Sequence, residues 1–353
     1  MHKLMLTAAT VAIAGVTFAG TSALPSAAEA ATKACDGPKV NWRLSLWGKR
    51  RAFTEGMEYV SKRVSEQTCG NFNIKLYYGE QLSKSKENLD SISVGAIEAG
   101  TFCAAYHPGK NRPLNVLDLP FLPLADFDTM RKVHDIVYRH PSSQKALKKW
   151  NAVIYMSNIL PQYEYMGRGK PPASVKDFAG KRLRALGGMG KAAKAIGAVP
   201  TTMPASETYT ALQRGTVDAI GFPFSYTFAA YKLDEISDWY TTNMSLGTVN
   251  CPTVFNKDAF AKLPKAYKTV LDEAKPGAYD AMKTAYAAKD KANTAKWAKT
   301  KMVAVKIPEK EMAEFRRIGG KPIWEAWVKE NEGKIPAREL LDLVLKTAGA
   351  ASN

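Results

Sequence analysis

Residues 180–219, GKRLRALGGMGKAAKAIGAVPTTMPASETYTALQRGTVDA, decide how this 353-residue chain folds. A basic strand ends at Arg184, and a glycine-rich turn around Gly188 and Gly190 opens a helix. A loop containing Pro200 and Pro204 leads into a second helix, which stops at Gly215 before another apolar run. Strands and helices in alternation predict an α/β fold with parallel strands and right-handed crossovers. In such a sheet ligands settle beyond the carboxyl ends of the strands, so Arg184 stands where a ligand would.

The same grammar runs through the earlier chain. Val40–Trp47 reads as a strand, Phe53–Glu66 has helical apolar spacing, and Phe72–Tyr78 alternates as a strand does. A helix over Lys84–Val94 ends at Gly95, and Ile97–Ala105 reads as a third strand. An internal echo ties the two regions together. Leu89-x-x-Ile92-x-x-Gly95 followed by Ile97-Glu98-Ala99 matches Tyr209-x-x-Leu212-x-x-Gly215 followed by Val217-Asp218-Ala219, 120 positions later. In both, apolar residues three apart end at a glycine suited to a left-handed helix cap. The expected architecture is two lobes with similar cores and a cleft where their strand ends face each other.

The chain is expected to cross between lobes more than once. Ala152–Tyr165 and Met244–Asn256 are apolar runs longer than one strand needs, and Pro252 argues for an edge position or a bend. A helix-rich region follows at Ala266–Trp297, then a strand at Met302–Ile307 and closing helices at Glu309–Trp327 and Ala337–Leu345.

The first thirty residues read as a cleaved signal peptide. Lys3 precedes the apolar Leu4–Ala19 stretch, and Ala28-Glu29-Ala30 supplies a small-x-small cleavage signal. That stretch is short for a membrane span. About 320 residues remain, enough for two ordinary domains. The formal net charge of +17 survives cleavage, because Lys3 and Glu29 cancel. The lysines scatter over helices, as at Lys283, Lys289, Lys291, Lys296 and Lys299, with no basic-aromatic cluster, so no nucleic-acid partner is expected. The field would instead draw small anions. Four cysteines in an exported chain predict disulfides. Cys35 and Cys69 each precede a strand, which favours Cys35–Cys69 and leaves Cys103–Cys251. The absence of any CxxC pair argues against a metal site, and no cofactor is expected.

A family resemblance emerges from the pieces in order. Phe178-Ala-Gly-Lys-Arg-Leu-Arg184, Ile196-Gly-Ala-Val-Pro200, Met203-Pro204, Ser206-Glu207, Tyr209-Thr-Ala-Leu-Gln213 and Gly215-Thr-Val-Asp218 resemble the DctP class of TRAP-type periplasmic solute-binding proteins. Tyr78-Gly79-Glu80-Gln81-Leu82, Val116-Leu-Asp-Leu-Pro120-Phe121-Leu122 and Tyr231-Lys232-Leu233 are similar to further segments of that class. The resemblance implies a two-lobed, type II-like periplasmic-binding-protein fold, each lobe a mostly parallel sheet flanked by helices, joined by long hinge strands. The lobes are placed at 31–157 with 247–298 and at 158–246 with 299–335, and residues 336–353 form a C-terminal helix and tail. It implies capture of a small organic acid (a C4-dicarboxylate, 2-oxo acid or aromatic acid) and delivery to TRAP membrane permease subunits in the periplasm. A ligand-sensing module for a sensor kinase is the alternative, and an exported enzyme on the same fold a third reading.

The resemblance makes Arg184 the carboxylate clamp, a role that suits a planar guanidinium able to form two parallel charge-assisted hydrogen bonds. Arg182 shares its strand face one step deeper and ranks second. Trp47, at the end of the first strand, is placed as part of a lid. Tyr106 and His107 end the third strand, Phe222 and Phe224 follow the strand from Val217, and Tyr165 lies on the hinge run. Arg50 and Arg51 are placed on a solvated loop, with contact to the far end of the ligand as the alternative. Phe222 stands near where sugar-acid binders of the class carry an asparagine, which points to a smaller or more apolar carboxylate. Gly188-x-Gly190-x-x-Ala193 has the form of a dinucleotide fingerprint, but no acidic residue ends a following strand about 20 positions on. The chain has no G-x-S-x-G elbow, P-loop or H-E-x-x-H motif to carry catalysis.

Overall fold

The computed structural model describes residues 34–124 and 126–349; the expected signal peptide lies outside them. Strand β1 (Val40–Ser45) leads through a short 3-10 turn into α1 (Glu55–Gln67), whose Met57, Val60 and Val64 are buried at helical spacing. Then come β2 (Phe72–Tyr77), α2 (Asn88–Ser93), β3 (Ala99–Thr101), α3 (Phe127–Arg139), α4 (Pro141–Lys148) and β4 (Ala152–Ser157). The Asp126 carboxylate caps α3 by accepting from the amides of Asp128 and Thr129 at 3.0 and 2.9 Å, a contact worth about 1 kcal/mol. The chain continues through β5 (Tyr163–Gly167), β6 (Arg182–Arg184), α5 (Gly187–Ala195), β7 (Val199–Thr201), α6 (Thr208–Gln213), β8 (Ala219–Pro223), α7 (Tyr226–Ala230) and β9 (Trp239–Thr241). It closes with β10 (Pro252–Asn256), α8 (Lys257–Lys262), α9 (Lys265–Trp297), β11 (Val303–Val305), α10 (Glu309–Gly319), α11 (Lys321–Asn331) and α12 (Ala337–Thr347).

The strands form two mixed sheets, ordered β2-β1-β3-β10-β4 and β11-β9-β5-β8-β6-β7. In the first, β1 runs parallel to β2 and β3, while β10 is antiparallel to β3 and β4. In the second, β6 runs parallel to β7 and β8, while β5 is antiparallel to β8 and β9. Apart from β11, the sheets share one plan: β7-β6-β8-β5-β9 repeats β2-β1-β3-β10-β4 in order and in sense. The sequence echo falls on equivalent places, with α2 and α6 each stopped by a left-handed glycine (Gly95 at φ +73°, Gly215 at +68°) ahead of β3 and β8. The fold is α/β, as expected.

The long apolar runs are crossings. Ala152–Tyr165 contains β4 of one sheet and the start of β5 of the other, joined by residues 158–162. Residues 244–251 return from the second sheet to β10. These two segments bond to each other, with Tyr163 N donating to Gly247 O at 2.9 Å and Leu246 N to Tyr163 O at 3.1 Å. The buried Glu164 carboxylate gathers the returning strand by accepting from Thr241 Oγ1 and from the amides of Met244 and Ser245. Helix α9, the longest element among the described residues, leans on both lobes. Its contacts with Tyr155 and α1 lie on the first, while Trp297 packs against Phe224, Phe228 and Tyr240 of the second.

Three expectations need correction. Of the two places expected for Pro252 the edge is not the one taken: it opens β10, an interior strand, with the irregularity falling just beyond it as a register shift between Thr253 and Val254. As the first residue of the strand, its missing N–H does not interrupt the ladder. The third strand covers only Ala99–Thr101, because the chain turns at Cys103 to meet Cys251 and enters a 3-10 turn at Ala104–Tyr106. Glu309–Trp327 is two helices, broken at Gly320, where a Cβ would lie 2.5 Å from Arg316 O. Both favoured disulfides, Cys35–Cys69 and Cys103–Cys251, are present. No helix among the described residues is long and apolar enough to cross a membrane.

Candidate functional site

The carboxyl ends of β1 and β3 face those of β6 and β8 across a cleft. At its centre is Arg184, the last residue of β6. Its neighbours Leu183 and Ala185 turn toward core, yet Arg184 itself is only 1% exposed, among the largest fully buried side chains of the protein. Nη1 donates to Gly221 O at 2.7 Å, while Nε and Nη2 share Met203 O at 3.3 and 3.2 Å. The guanidinium carbon stands 4.5 Å from the centroid of the Phe222 ring. No carboxylate among the described residues pairs with it. A buried charge left without a counter-charge is costly, and backbone carbonyls offset only part of that cost.

Arg184 lines a tight cavity of about 30 Å³, room for about one water and far below the range for ligand sites, so an organic acid enters only as the lobes part around it. Trp47, Phe53 and Tyr106 wall it from the first lobe, Phe222, Tyr226 and Tyr231 from the second, and Tyr163 and the Cys103–Cys251 disulfide from the crossing segments. The wall carries no Asp or Glu. Burial pushes the Tyr163 hydroxyl well up from its ordinary value, the Arg184 charge opposing, so it stays a neutral donor. The arrangement suits a small, partly apolar anion, with no nucleophile-base pair at hand.

Of the expected site residues, Arg184, Trp47, Tyr106 and Phe222 meet at this cavity. Tyr106 does so as a bridge between lobes: its hydroxyl oxygen accepts the Ala205 amide at 3.1 Å. Arg182 does not reach it. It opens β6 at the exposed end of the sheet and forms a two-point ion pair with Asp218. Tyr165 sits one layer behind, its ring against the Cβ-less face of Gly221 and against Phe178. The residue two positions earlier on that strand face, Tyr163, takes the cavity position instead. Phe224 points the other way, stacked on Tyr240 and edge-on to Trp297. His107 is buried beside Phe102, and burial with nearby Lys110 lowers its pKa to about 4.

Tyr163, Tyr226, Tyr231 and Phe53 escaped the sequence reading, since an aromatic at a helix or strand position reads equally as core. The glycine turn has a different duty from the one its pattern suggests. A Cβ on Gly188 would lie 2.5 Å from Pro120 Cδ and 2.8 Å from Asp118 O, so this turn lets α5 press against the first lobe. Arg50 and Arg51 part company: Arg50 is exposed on Glu55, whereas Arg51 is buried with Nη1 on the carbonyls of Trp47 and Lys49.

A family model, bacterial extracellular solute-binding protein, family 7 (DctP), matches residues 45–331. The chain belongs to this family. It is 26% identical over 267 residues to a monocarboxylate 2-oxoacid-binding periplasmic protein of Nostoc sp. PCC 7120, covering 72% of this chain and 71% of that protein. It is 27% identical to the C4-dicarboxylate-binding periplasmic protein DctP of Rhodobacter capsulatus, over 62% of this chain and 66% of that one. Among solved structures, a TRAP periplasmic solute-binding protein of Desulfovibrio salexigens with bound orotic acid superposes with a TM-score of 0.79 at 21% identity, covering 88% of this chain and 99% of that one. A Sulfurospirillum deleyianum relative with bound succinate gives 0.74 at 21%, covering 89% and 100%. These likenesses establish the two-lobed TRAP-receptor fold for the family 7 chain.

Proposed function

We propose that this family 7 protein is the periplasmic receptor of a tripartite ATP-independent transporter, closing its lobes on a small organic carboxylate and passing it to the membrane permease subunits. The observation that carries the reading is Arg184, a fully buried guanidinium paired with no carboxylate among the described residues, held toward a cavity where the strand ends of both lobes converge. A ligand carboxylate supplies the missing counter-charge. Relatives named for 2-oxoacid and C4-dicarboxylate binding support the class. The lobes divide at the crossings near residues 158 and 247. Residues 1–30 act as the export signal, a reading that the two disulfides support, since such bonds persist in oxidising compartments.

The test has two stages. A thermal-shift screen of organic acids finds the ligand, since a compound that binds only the folded protein at 100 times its Kd stabilises it by about 2.7 kcal/mol. Calorimetry then compares Arg184→Gln with the parent protein. The expected result is a loss of affinity of at least a hundredfold, about 3 kcal/mol, as for removal of one partner from a buried ion pair. Affinity within threefold of the parent overturns the clamp.

A further inference from the structure

Both lobes and a crossing segment meet on the carboxyl group of Asp118. The residue ends the 3-10 turn Arg112–Asp118 of the first lobe and is 2% exposed. From the crossing, Asn250 N donates to Oδ1 at 2.6 Å, and the Asn250 side chain in turn accepts from the Tyr138 hydroxyl. From the second lobe, the glycine turn that opens α5 closes over it. A Cβ on Gly187 would lie 3.1 Å from Asp118 Cβ, and one on Gly188 2.8 Å from Asp118 O. Oδ2 is buried with no hydrogen-bond partner, and no cation among the described residues pairs with the carboxyl.

An ionised carboxylate in that setting lacks the donors a buried charge needs. Glu164, also buried, accepts from three. Burial raises the Asp118 carboxyl well above its ordinary value, with the Asn250 amide acting against the rise. Beside it lies a chamber of about 580 Å³, whose wall holds Asp118 with Lys86 and Arg112 of the first lobe, Lys191 of α5 and Glu330 of α11. Those charges are turned to other partners. Lys191 pairs with Glu330 at 2.6 Å and holds that carboxyl below the usual range, while Arg112 reaches Asn331 Oδ1 at 3.5 Å. Helix α3 and strand β5 bring Tyr138 and Tyr163, hydroxyls that burial keeps neutral. His107, in the neighbouring turn, is lowered by burial and Lys110 to about 4. Helices α4 and α12 bury no titratable residue against the turn. Parting the lobes lifts Gly187 and Gly188 away and lets water reach Oδ2.

We propose that Asp118 couples lobe closure to proton uptake: the closed lobes hold its carboxyl neutral between them, and opening lets it ionise in water. The inference rests on the receptor reading above. A solvated aspartate titrates near 3.9. Between that value and the raised one, the open form binds fewer protons than the closed form. Closure is therefore favoured as pH falls and weakened up to tenfold for each unit that pH rises. Acidity tightens the lobes without any change in the ligand.

Small-angle scattering from the ligand-free protein reads the lobes directly. The radius of gyration of the parent should rise between pH 5 and pH 9 as the lobes part. Asp118→Asn, which keeps the acceptor for Asn250 N and cannot ionise, should show less than half of that rise. Thermal melting checks that this variant is folded. Gly188→Ala leaves the carboxyl in place, so it carries the test even where Asp118→Asn does not fold. Its added methyl pushes α5 off the first lobe, and the midpoint of the rise should move down by about one pH unit, equivalent to a tenfold shift in the open–closed balance. A flat profile in the parent, half or more of the rise kept in Asp118→Asn, or an unmoved midpoint in Gly188→Ala overturns the assignment. Failure of the receptor reading has a different signature, namely Arg184→Gln binding organic acids like the parent protein, because scattering reads the lobes without a ligand.

Discussion

Gly48 shows how much of closure depends on single positions. It holds φ +66° in the turn after β1, and a Cβ there would stand 2.6 Å from Tyr231 Oη and 3.1 Å from Arg51 Nη1. An alanine is strained at that backbone angle by about 1 kcal/mol and also wedges the first lobe off the Tyr231 ring of the second. Gly48→Ala should therefore weaken ligand binding at least tenfold in calorimetry while costing only about 1 kcal/mol of ligand-free stability. Adding Tyr231→Phe, which removes the obstructing hydroxyl, should restore part of the affinity. A double variant no better than the single one would show that the contact does not limit closure. Arg184 was legible at this scale because position, type and motif agree. Its distinction from Arg182 was not, because alternation puts both on one strand face and only the sheet's exposed end and Asp218 separate them. The burial of Arg51 was not legible, because a basic residue in a loop after a strand reads first as solvated.

Helices α1 and α9 meet through glycine. A Cβ on Gly56 would come within 3.0 Å of Met282 Cγ and 3.1 Å of Ala278 O, and one on Gly277 within 2.6 Å of the Tyr59 ring. The methionine can move; the helix carbonyl cannot without shifting α9. Gly56→Val should cost about 2 kcal/mol through overpacking, read as a lowered urea midpoint with an unchanged slope. An unchanged midpoint would mean that α9 shifts freely. The elements themselves were readable from apolar period and glycine caps, as the echo of α2–β3 in α6–β8 shows. Their ends were less so. Apolar Ala152–Tyr165 gives no local sign that its two halves join different sheets. The Ile97–Ala105 run is apolar to its end, though the backbone leaves the sheet after Thr101.

The molecule as a whole responds to pH through groups whose titration burial shifts. His134 is fully buried with Nδ1 2.6 Å from Ser157 Oγ, and burial alone lowers its pKa to about 3. The unfolded value is about 6.5, so between about 3 and 6.5 the unfolded chain binds more protons and stability falls as pH falls. At pH 5 this one group removes about 2 kcal/mol relative to pH 7.5. Asp118 and Glu164, pushed up by burial, act in the opposite sense, stabilising at low pH and losing that contribution as pH rises. Comparing urea melts of the parent and His134→Asn at pH 7.5 and 5 cancels the carboxyls. The parent should lose about 2 kcal/mol more than the variant over that interval. Equal losses would rule out a neutral buried histidine.

By itself the sequence determined the α/β class, the doubled lobe and the arginine at the end of β6, and it favoured both disulfide pairings, because period, caps and the order of elements are local properties of the chain. Tertiary structure alone decided which side chains share the cleft. Phe53, Tyr163 and the neighbouring Tyr226 and Tyr231 come from three segments far apart in the chain, and each reads locally as core. They come together only when two sheets of the same plan turn their strand ends toward each other, around an Arg184 guanidinium that no carboxylate of the described residues answers.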